Sequence, residues 1–525
     1  MNLADRTATN FDRALAQCLF LAAFTSVGCA SRAAVGPCSS FEASSGAVDL
    51  DGSPVRRSLR DFVVAYNSRD PERVSNFIAQ RVANDSDQPP AARAGAYVHN
   101  FERTGCLQPK KVQTDSEVTA LVVQDGYGEW STIDARPASG ARSEAITLEM
   151  RPTWDPNAGR PASEADLMRQ LSAWLRKAGA TDRFSGVVLV TKDNQPILQQ
   201  AEGFADRQRR VGNRLDTAFN IGSITKSFTA VAIAQLAAAG KLSLTDTLAE
   251  RLPEYTEAGS ASATLDQLLM HTSGLNADLF GPRHHQVSGE TKTLPELIRQ
   301  FAAGSVRGTG GHFEYSNFGY CLLGRVVEVS SGLDYPTYLS ERIFAPAGMH
   351  HSGFWNFSNS DAAHATGYTS FYRGQALAPG TRLPNAPELP LSGNPAGGSF
   401  SSAPDLAAFV TALNNGALLD RQASQDLTRG RAAFAGGRKK YGYGFVEYRQ
   451  DAVEQIGNDG GLPGATAFFR WLPELGYTVV VLSNYDGPMP APEVGRRIVW
   501  QLGAVAATKP AVALSRFVQP PPPRG

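Results

Sequence analysis

"FNIGSITKSF", residues 219–228, sets Ser223 three residues ahead of Lys226, with an apolar helical pattern running on behind them. Gly222 permits a tight turn into a helix packed by Ile224, Phe228, Val231 and Leu236, and Gly240 is placed to close it. Residues three apart share a helix face, so hydroxyl and amine are neighbours. Exposed, they are an N-cap serine and a solvated lysine, the commoner meaning of a lone Ser-x-x-Lys. Buried, they are an activated nucleophile: the helix N-terminus favours negative charge developing near Ser223, and desolvation lowers the lysine pKa until the amine accepts a proton. The chain has ten lysines, and this is its single Ser-x-x-Lys, so the buried alternative concerns one place only.

Two further segments carry matching chemistry. In "FEYSNFGYCLLG", residues 313–324, Tyr315 and Asn317 stand two apart, so an extended loop points both side chains the same way. A phenol relays a proton, and a carboxamide binds both lysine and substrate amide; the plainer alternative is that Asn317 caps the helix holding Leu322 and Leu323. In "IGNDGGLPGATAFF", residues 456–469, Gly460 and Gly461 lead into a strand. They let a substrate backbone approach the strand edge and a main-chain N–H serve as oxyanion donor; the alternative is an ordinary glycine-rich hairpin.

Together and in this order, the three segments resemble the serine β-lactamase and penicillin-binding-protein superfamily, in its class C and esterase-like branch. "LLMHTSGL" (268–275), "PAGGSFSSAPDLAAFVTAL" (395–413) and "YGYGF" (441–445) are similar to recurring segments of that family, and the resemblance covers about residues 163–505. It implies Ser223 as acylated nucleophile, Lys226 as its base, Tyr315 as proton shuttle and Asn317 as a substrate and lysine contact. It places the oxyanion hole at the backbone N–H groups of Ser223 and Gly461, and His271 in a structural role. The family's third motif usually begins with Lys or His; here Asn458 stands there, followed by Asp459. A β-lactam or D-alanyl peptide presents a carboxylate that such a cation binds, so the departure points to an uncharged ester or amide.

The expected function is therefore an exported serine hydrolase working through an acyl-enzyme on Ser223, as esterase, D-amino-peptidase or β-lactamase-like enzyme. The alternative is a degenerate relative that binds cell-wall peptide or is acylated without turnover. Asn458 favours the alternative, and intact Ser223, Lys226 and Tyr315 oppose it. The partner is a small-molecule or peptide substrate, with Asn317, Asn458, Gly460 and Gly461 as its binding residues.

The rest of the chain frames this chemistry. Formal net charge is zero, so no basic field invites nucleic acid. Arg13 followed by the apolar run 14–24 and small residues predicts a secretory signal peptide over 1–30. Ser26-Val27-Gly28-Cys29 resembles a bacterial lipoprotein cleavage box, which implies lipidation of Cys29 and a periplasmic or membrane-anchored protein. Cys38 and Cys106 are a candidate disulfide in such a compartment, and Cys321 is expected as a buried thiol. His284-His285 and His350-His351 lack the i, i+4 spacing of a helical metal pair, and neither metal nor cofactor is expected.

The organisation predicted is an α/β (α+β) chain of two domains, a smaller cone-like one followed by an antiparallel sheet flanked by helices. Residues 31–54 form a Ser/Gly-rich tether, 55–151 a small α+β domain, 152–162 a Pro-rich linker, 163–508 the hydrolase domain and 509–525 a disordered tail. Leu59, Phe62, Val63 and Tyr66 have helical spacing, and Asp70-Pro71 starts a second helix. Val118/Ala120/Val122 and Ile146/Leu148/Met150 alternate like strands, with a third around Trp130. "FVVAYNSRDPERVSNFIAQR" (62–81) is similar to the opening of nuclear-transport-factor-2-like domains and carries no catalytic residue over. Hairpins at 185–203 and 466–484 enclose a long helical middle, which predicts one antiparallel sheet built from both ends of the hydrolase domain.

Overall fold

The computed structural model describes residues 48–83, 104–115, 118–138, 145–155, 159–255, 260–277, 279, 293–306, 308, 310–356, 363–372, 375–377, 380–386, 389, 393–435, 437, 439–450 and 453–507. The export segment, Cys29, Cys38 and the tail beyond 507 lie outside them. Cys106 is disulfide-bonded, and the partner expected for it, Cys38, is among the residues not described.

Helix α1 (Pro54–Asn67) is capped by Ser53, whose Oγ accepts the Arg56 N–H at 3.2 Å. Helix α2 (Pro71–Arg81) is capped by Asp70, which accepts the Glu72 N–H at 2.9 Å, with proline at the first helical position as the sequence predicts. Both pack on an antiparallel meander of β1 (Gln108–Thr114), β2 (Thr119–Gln124), β3 (Trp130–Pro137) and β4 (Ile146–Pro152), paired in sequence order. Leu59, Phe62, Val63 and Tyr66 are buried, as their spacing requires.

Three expectations change here. The buried face of β2 is Thr119, Leu121 and Val123, not Val118, Ala120 and Val122; the strand is apolar on both faces, so alternation alone does not choose. Strand β1, Gln-Pro-Lys-Lys-Val-Gln-Thr, carries no apolar signal because it is an edge, blunted by charge and proline. Val48 and Leu50, assigned to the tether, are buried in the same core.

The second unit opens with α3 (Glu164–Ala180), capped by Ser163 through the Asp166 N–H at 3.1 Å. Strands β5 (Gly186–Lys192) and β6 (Gln195–Glu202) join at Asp193-Asn194, both with positive φ, the geometry of a tight hairpin. From the far end come β7 (Ala432–Phe434), β8 (Lys439–Tyr441), β9 (Val446–Gln450), β10 (Val453–Leu462), β11 (Ala465–Leu472) and β12 (Tyr477–Ser483). β12 pairs antiparallel with β5, Gly186 opposite Ser483, giving one eight-stranded sheet in the order β7-β8-β9-β10-β11-β12-β5-β6. The two ends of the domain thus close one sheet, as expected.

One face of this sheet, with Val188, Val190, Phe468, Val479 and Val481, is covered by α3 and α6 (Ala491–Ala506). The other, with Val187, Leu189, Ala467, Phe469 and Val480, packs against the helical middle. At its centre lies α4 (Thr225–Ala238), where every residue from Thr225 to Ile233 is buried. The spacing of Ile224, Phe228, Val231 and Leu236 suggested a one-sided helix; small residues between them let α4 be enclosed on all sides. Phe228 meets Phe344 and Phe409 edge-on, with centroids 5.1 and 4.8 Å away.

The two units touch through side chains the linker reading does not anticipate. Glu129, just before β3, accepts from Trp174 Nε1 at 2.8 Å and Arg497 at 2.7 Å, while Arg183 stacks over Tyr127 at 3.9 Å. Trp154, inside the Pro-rich stretch, packs against Trp500 with centroids 5.1 Å apart.

Candidate active site

A short 3₁₀ turn, Gly222–Ile224, precedes α4, and its geometry decides between the two meanings of Ser-x-x-Lys. No side chain caps the helix at this end, so Ser223 is not an N-cap. Its Oγ instead accepts the Tyr315 phenol at 2.8 Å and lies 3.2 Å from Lys226 Nζ. Lys226 is not a surface cation either: its exposure is 0%.

What surrounds the lysine determines its chemistry. Nζ is 2.7 Å from Asn317 Oδ1 and also donates to the Ala396 carbonyl. The three hydrogen-bonding neighbours of Nζ are neutral, as are the Tyr315 and Tyr320 rings 4.8 and 5.6 Å from it, and among the described residues no Asp or Glu pairs with it. Burial without a counter-ion pushes its pKa down to about 7. A neutral amine has two N–H bonds and one lone pair. Asn317 Oδ1 and Ala396 O accept the two N–H bonds, and the lone pair is left for the Ser223 hydroxyl proton. Burial pushes the Tyr315 phenol up, so it stays a proton donor at neutral pH.

Tyr315 and Asn317 converge because the loop before α5 (Asn317–Ser331) is extended. Ser316, not Asn317, caps that helix by accepting the Gly319 N–H at 2.9 Å, which leaves the Asn317 amide free for Lys226. His271 pins the same loop: its Nδ1 accepts the Ser316 N–H at 3.0 Å, and its ring lies 4.4 Å from that of Tyr315. Burial holds His271 well below its usual pKa, so it is neutral. It touches the loop and not Ser223, in keeping with the structural role expected for it.

Strand β10 supplies the floor. Its pairing with β9 ends at Gly457, so residues 458–462 have an edge free of β9, and that stretch lies against Ile221–Ser223. A Cβ on Gly460 would fall 1.9 Å from Ile221 O and 3.2 Å from Ser223 N; one on Gly222, whose φ is +50°, would fall 2.4 Å from Gly461 N. Only glycine permits this approach, which brings the Ser223 and Gly461 backbone nitrogens to one place.

Asn458 is placed differently from a substrate contact. It is 6% exposed, and its Nδ2 donates to Gly444 O at 3.0 Å, with Ser223 O and Ser227 Oγ each at 3.5 Å. Its amide braces the back of the Gly222–Ile224 turn. Asp459 points to the other face of the sheet, where it pairs with Arg470 at 2.8 Å and Arg496 at 3.4 Å.

Three contributors escape sequence reading. The Ala396 carbonyl sits in the family-like segment 395–413, but a main-chain acceptor has no residue type to announce it. Asn220 aligns the turn by accepting the Gly222 N–H at 2.9 Å, and Asn276 reaches the Tyr315 carbonyl at 3.2 Å. Among the described residues, no group of three or more His, Cys, Asp or Glu is arranged to hold a metal ion.

A family model described as Beta-lactamase matches residues 165–504. The chain belongs to the beta-lactamase family. The match begins after the amino-terminal unit and says nothing of the nuclear-transport-factor-2-like resemblance expected there. This beta-lactamase-family protein is 28% identical over 335 residues to a Bacillus subtilis (strain 168) protein named "Putative penicillin-binding protein PbpX", covering 63% of this chain and 78% of that one. Among solved structures it resembles a penicillin-binding protein from Bacillus halodurans, with 28% identity, TM-score 0.54, and coverage of 65% of this chain and 98% of that one. A D-amino acid amidase from Ochrobactrum anthropi SV3 shares the fold at 24% identity and TM-score 0.55, over 65% of this chain and 99% of the amidase.

Proposed function

We propose that this protein is an exported serine hydrolase that forms an acyl-enzyme on Ser223 and releases it to water, with an uncharged ester or amide as substrate. The observation that carries this reading is the environment of Lys226: wholly buried, given only neutral partners, and within reach of Ser223 Oγ.

The steps follow from that arrangement. Neutral Lys226 takes the Ser223 proton as Oγ attacks the substrate carbonyl carbon, and the Ser223 and Gly461 N–H groups face the developing oxyanion. The Tyr315 phenol protonates the leaving oxygen or nitrogen and is reprotonated by the Lys226 ammonium, which restores the base. Water then attacks the acyl-Ser223 ester, giving up a proton to the same Tyr315–Lys226 pair. That proton returns to Ser223 Oγ as the acid departs.

Asn458 supports the uncharged substrate. At the position where the family usually carries Lys or His, its amide is turned to Gly444 O and offers no charge to a substrate carboxylate.

Intact-mass measurement after treatment with a fluorophosphonate tests the nucleophile. Wild type should gain one adduct, mapped to Ser223, and Ser223→Ala should gain none while keeping its melting temperature, since Ser223 caps no helix. Labelling of the Ala variant would sink the assignment. Turnover of a neutral ester, a D-alanyl peptide and a β-lactam then decides substrate class; an adduct that never hydrolyses on any of them would favour a binding role. Export rests on residues 1–30, and metabolic labelling with a radioactive fatty acid, lost in Cys29→Ala, tests lipidation.

A further inference from the structure

The face of α5 that meets Lys226 carries Asn317, Cys321 and Gly324, spaced i, i+4, i+7 and therefore stacked along one stripe. Each holds part of the lysine's surroundings. Asn317 Oδ1 faces Nζ directly. Cys321 Sγ–H donates to Asn394 Oδ1 at 3.6 Å. Gly324 makes room for Pro395, since a Cβ there would fall 2.1 Å from the proline ring.

The loop pressed onto this stripe supplies the second acceptor for the amine, and Asn394 organises it from both sides. Its Oδ1 accepts the Ala396 N–H at 2.9 Å, and its backbone carbonyl accepts the Gly397 N–H at 3.0 Å. Gly397 N and Ala396 O belong to one planar peptide, so fixing the first aims the second at Lys226. Thr229 Oγ1, from α4, ties down the preceding carbonyl, Pro395 O, at 2.7 Å.

We propose that Asn394 is a positioning residue for the lysine base, acting through the Ala396 carbonyl, and that the Cys321 thiol holds the Asn394 side chain for that task. This rests on the reading of Lys226 as base and extends it to two residues that touch neither nucleophile nor substrate. Burial pushes the Cys321 thiol up to about 12, so it remains a protonated donor. The titratable groups facing Lys226 are Cys321 from α5, Tyr315 from the preceding loop, Tyr320 and His271; none is an anion at neutral pH.

The test is the pH profile of fluorophosphonate acylation at Ser223. Asn394→Ala removes the side-chain acceptor and loosens the Ala396 carbonyl. The high-pH plateau should fall about tenfold, as loss of one ordinary hydrogen bond implies. The acid limb should move to lower pH, because a carbonyl acceptor favours the ammonium form. Asn394→Asp keeps the acceptor oxygen and adds a negative charge, so it should restore most of the plateau and move the limb to higher pH. A merely structural role predicts equal plateau losses with the limb unmoved in both variants, and that result overturns the proposal. Should either variant fail to fold, Cys321→Ala is expected to lower the plateau a few-fold and shift the limb down, while Cys321→Ser, which keeps a donor, matches wild type. Identity of Cys321→Ala with wild type overturns it equally. A wild type labelled at Ser223 but indifferent to these changes defeats this proposal alone; a wild type unlabelled at Ser223 defeats the reading of the site as well.

Discussion

Two buried cations sit on opposite faces of the same sheet, and the protein treats them in opposite ways. Lys226, on the face packed by the helical middle, hydrogen-bonds a hydroxyl, an amide oxygen and a main-chain carbonyl and lies over the neutral rings of Tyr315 and Tyr320. Arg470, on β11, is 4% exposed and faces the Asp459 carboxylate at 2.8 Å under α6, where Arg496 joins the pair. Burial alone would raise Asp459; the two guanidiniums outweigh it and hold the carboxyl below its usual range. Desolvation is common to both sites, so the counter-ion makes the difference. Where it is present, the charges remain and tie strand to helix. Where none is supplied among the described residues, burial draws the amine's pKa down towards neutrality, the condition a base needs.

The residue type follows the same division. A guanidinium keeps its proton under desolvation and suits a permanent ion pair, whereas an ammonium gives its proton up. Lys226→Arg should therefore be nearly as damaging as Lys226→Ala, with Ser223 acylation falling by about 10²–10⁴ in both. Stopped-flow or quenched labelling of the two variants checks this; retention of the wild-type rate in Lys226→Arg would show that Lys226 acts only as a charge.

A smaller effect comes from giving Lys226 the counter-ion it lacks. Asn317→Asp puts a carboxylate where Oδ1 now lies 2.7 Å from Nζ. An opposite charge at that range raises a pKa by about 1–3 units. The acid limb of acylation, expected near pH 7 in wild type, should move up by that amount. At pH 7, where the wild-type amine is about half neutral, the rate then drops about five- to five-hundredfold, and alkaline pH recovers it to the extent that the Asn317 amide itself is dispensable. Equal limbs in the two proteins would mean that another group sets the profile.

The converse change should touch catalysis least. Asp459→Asn strands Arg470 without its anion, at a cost of about 3–5 kcal/mol in stability. Urea denaturation at pH 7 measures this. The sign with pH is fixed by the depressed Asp459 pKa: its stabilisation is present above the ordinary carboxylate range and lost as pH falls through the folded-state value. Wild type and variant should thus converge in strong acid. The folded fraction of the variant should keep its acid limb near pH 7; a shifted limb would show that the two faces of the sheet are electrostatically joined.

Much of this arrangement was legible in the chain. Period, caps and turn residues located α1, α2 and the hairpins at both ends of the sheet, because those signals are local: Leu59, Phe62, Val63 and Tyr66 share one face of α1, Asp70 caps the helix next to it, and Asp193-Asn194 turns its own hairpin. The family resemblance carried by their segments brought Ser223, Lys226, Tyr315 and Asn317 into one candidate site. Asn458 was placed in the correct strand but on the substrate side, because strand position does not reveal which neighbour, Gly444 or a ligand, the amide will meet.

Burial was what the sequence could not decide. "SITK" is the same string whether its lysine is solvated or sealed, and only enclosure of α4 between sheet and helices removes water from Lys226 while leaving it no anion. The Ala396 carbonyl, the Asn394 side chain that orients it and the Cys321 thiol behind that side chain come from segments far apart in the chain. Neither backbone acceptors nor long-range contacts leave a local pattern, so the depressed pKa of Lys226 belongs to the tertiary structure, while an amine able to give up its proton was written in the residue type.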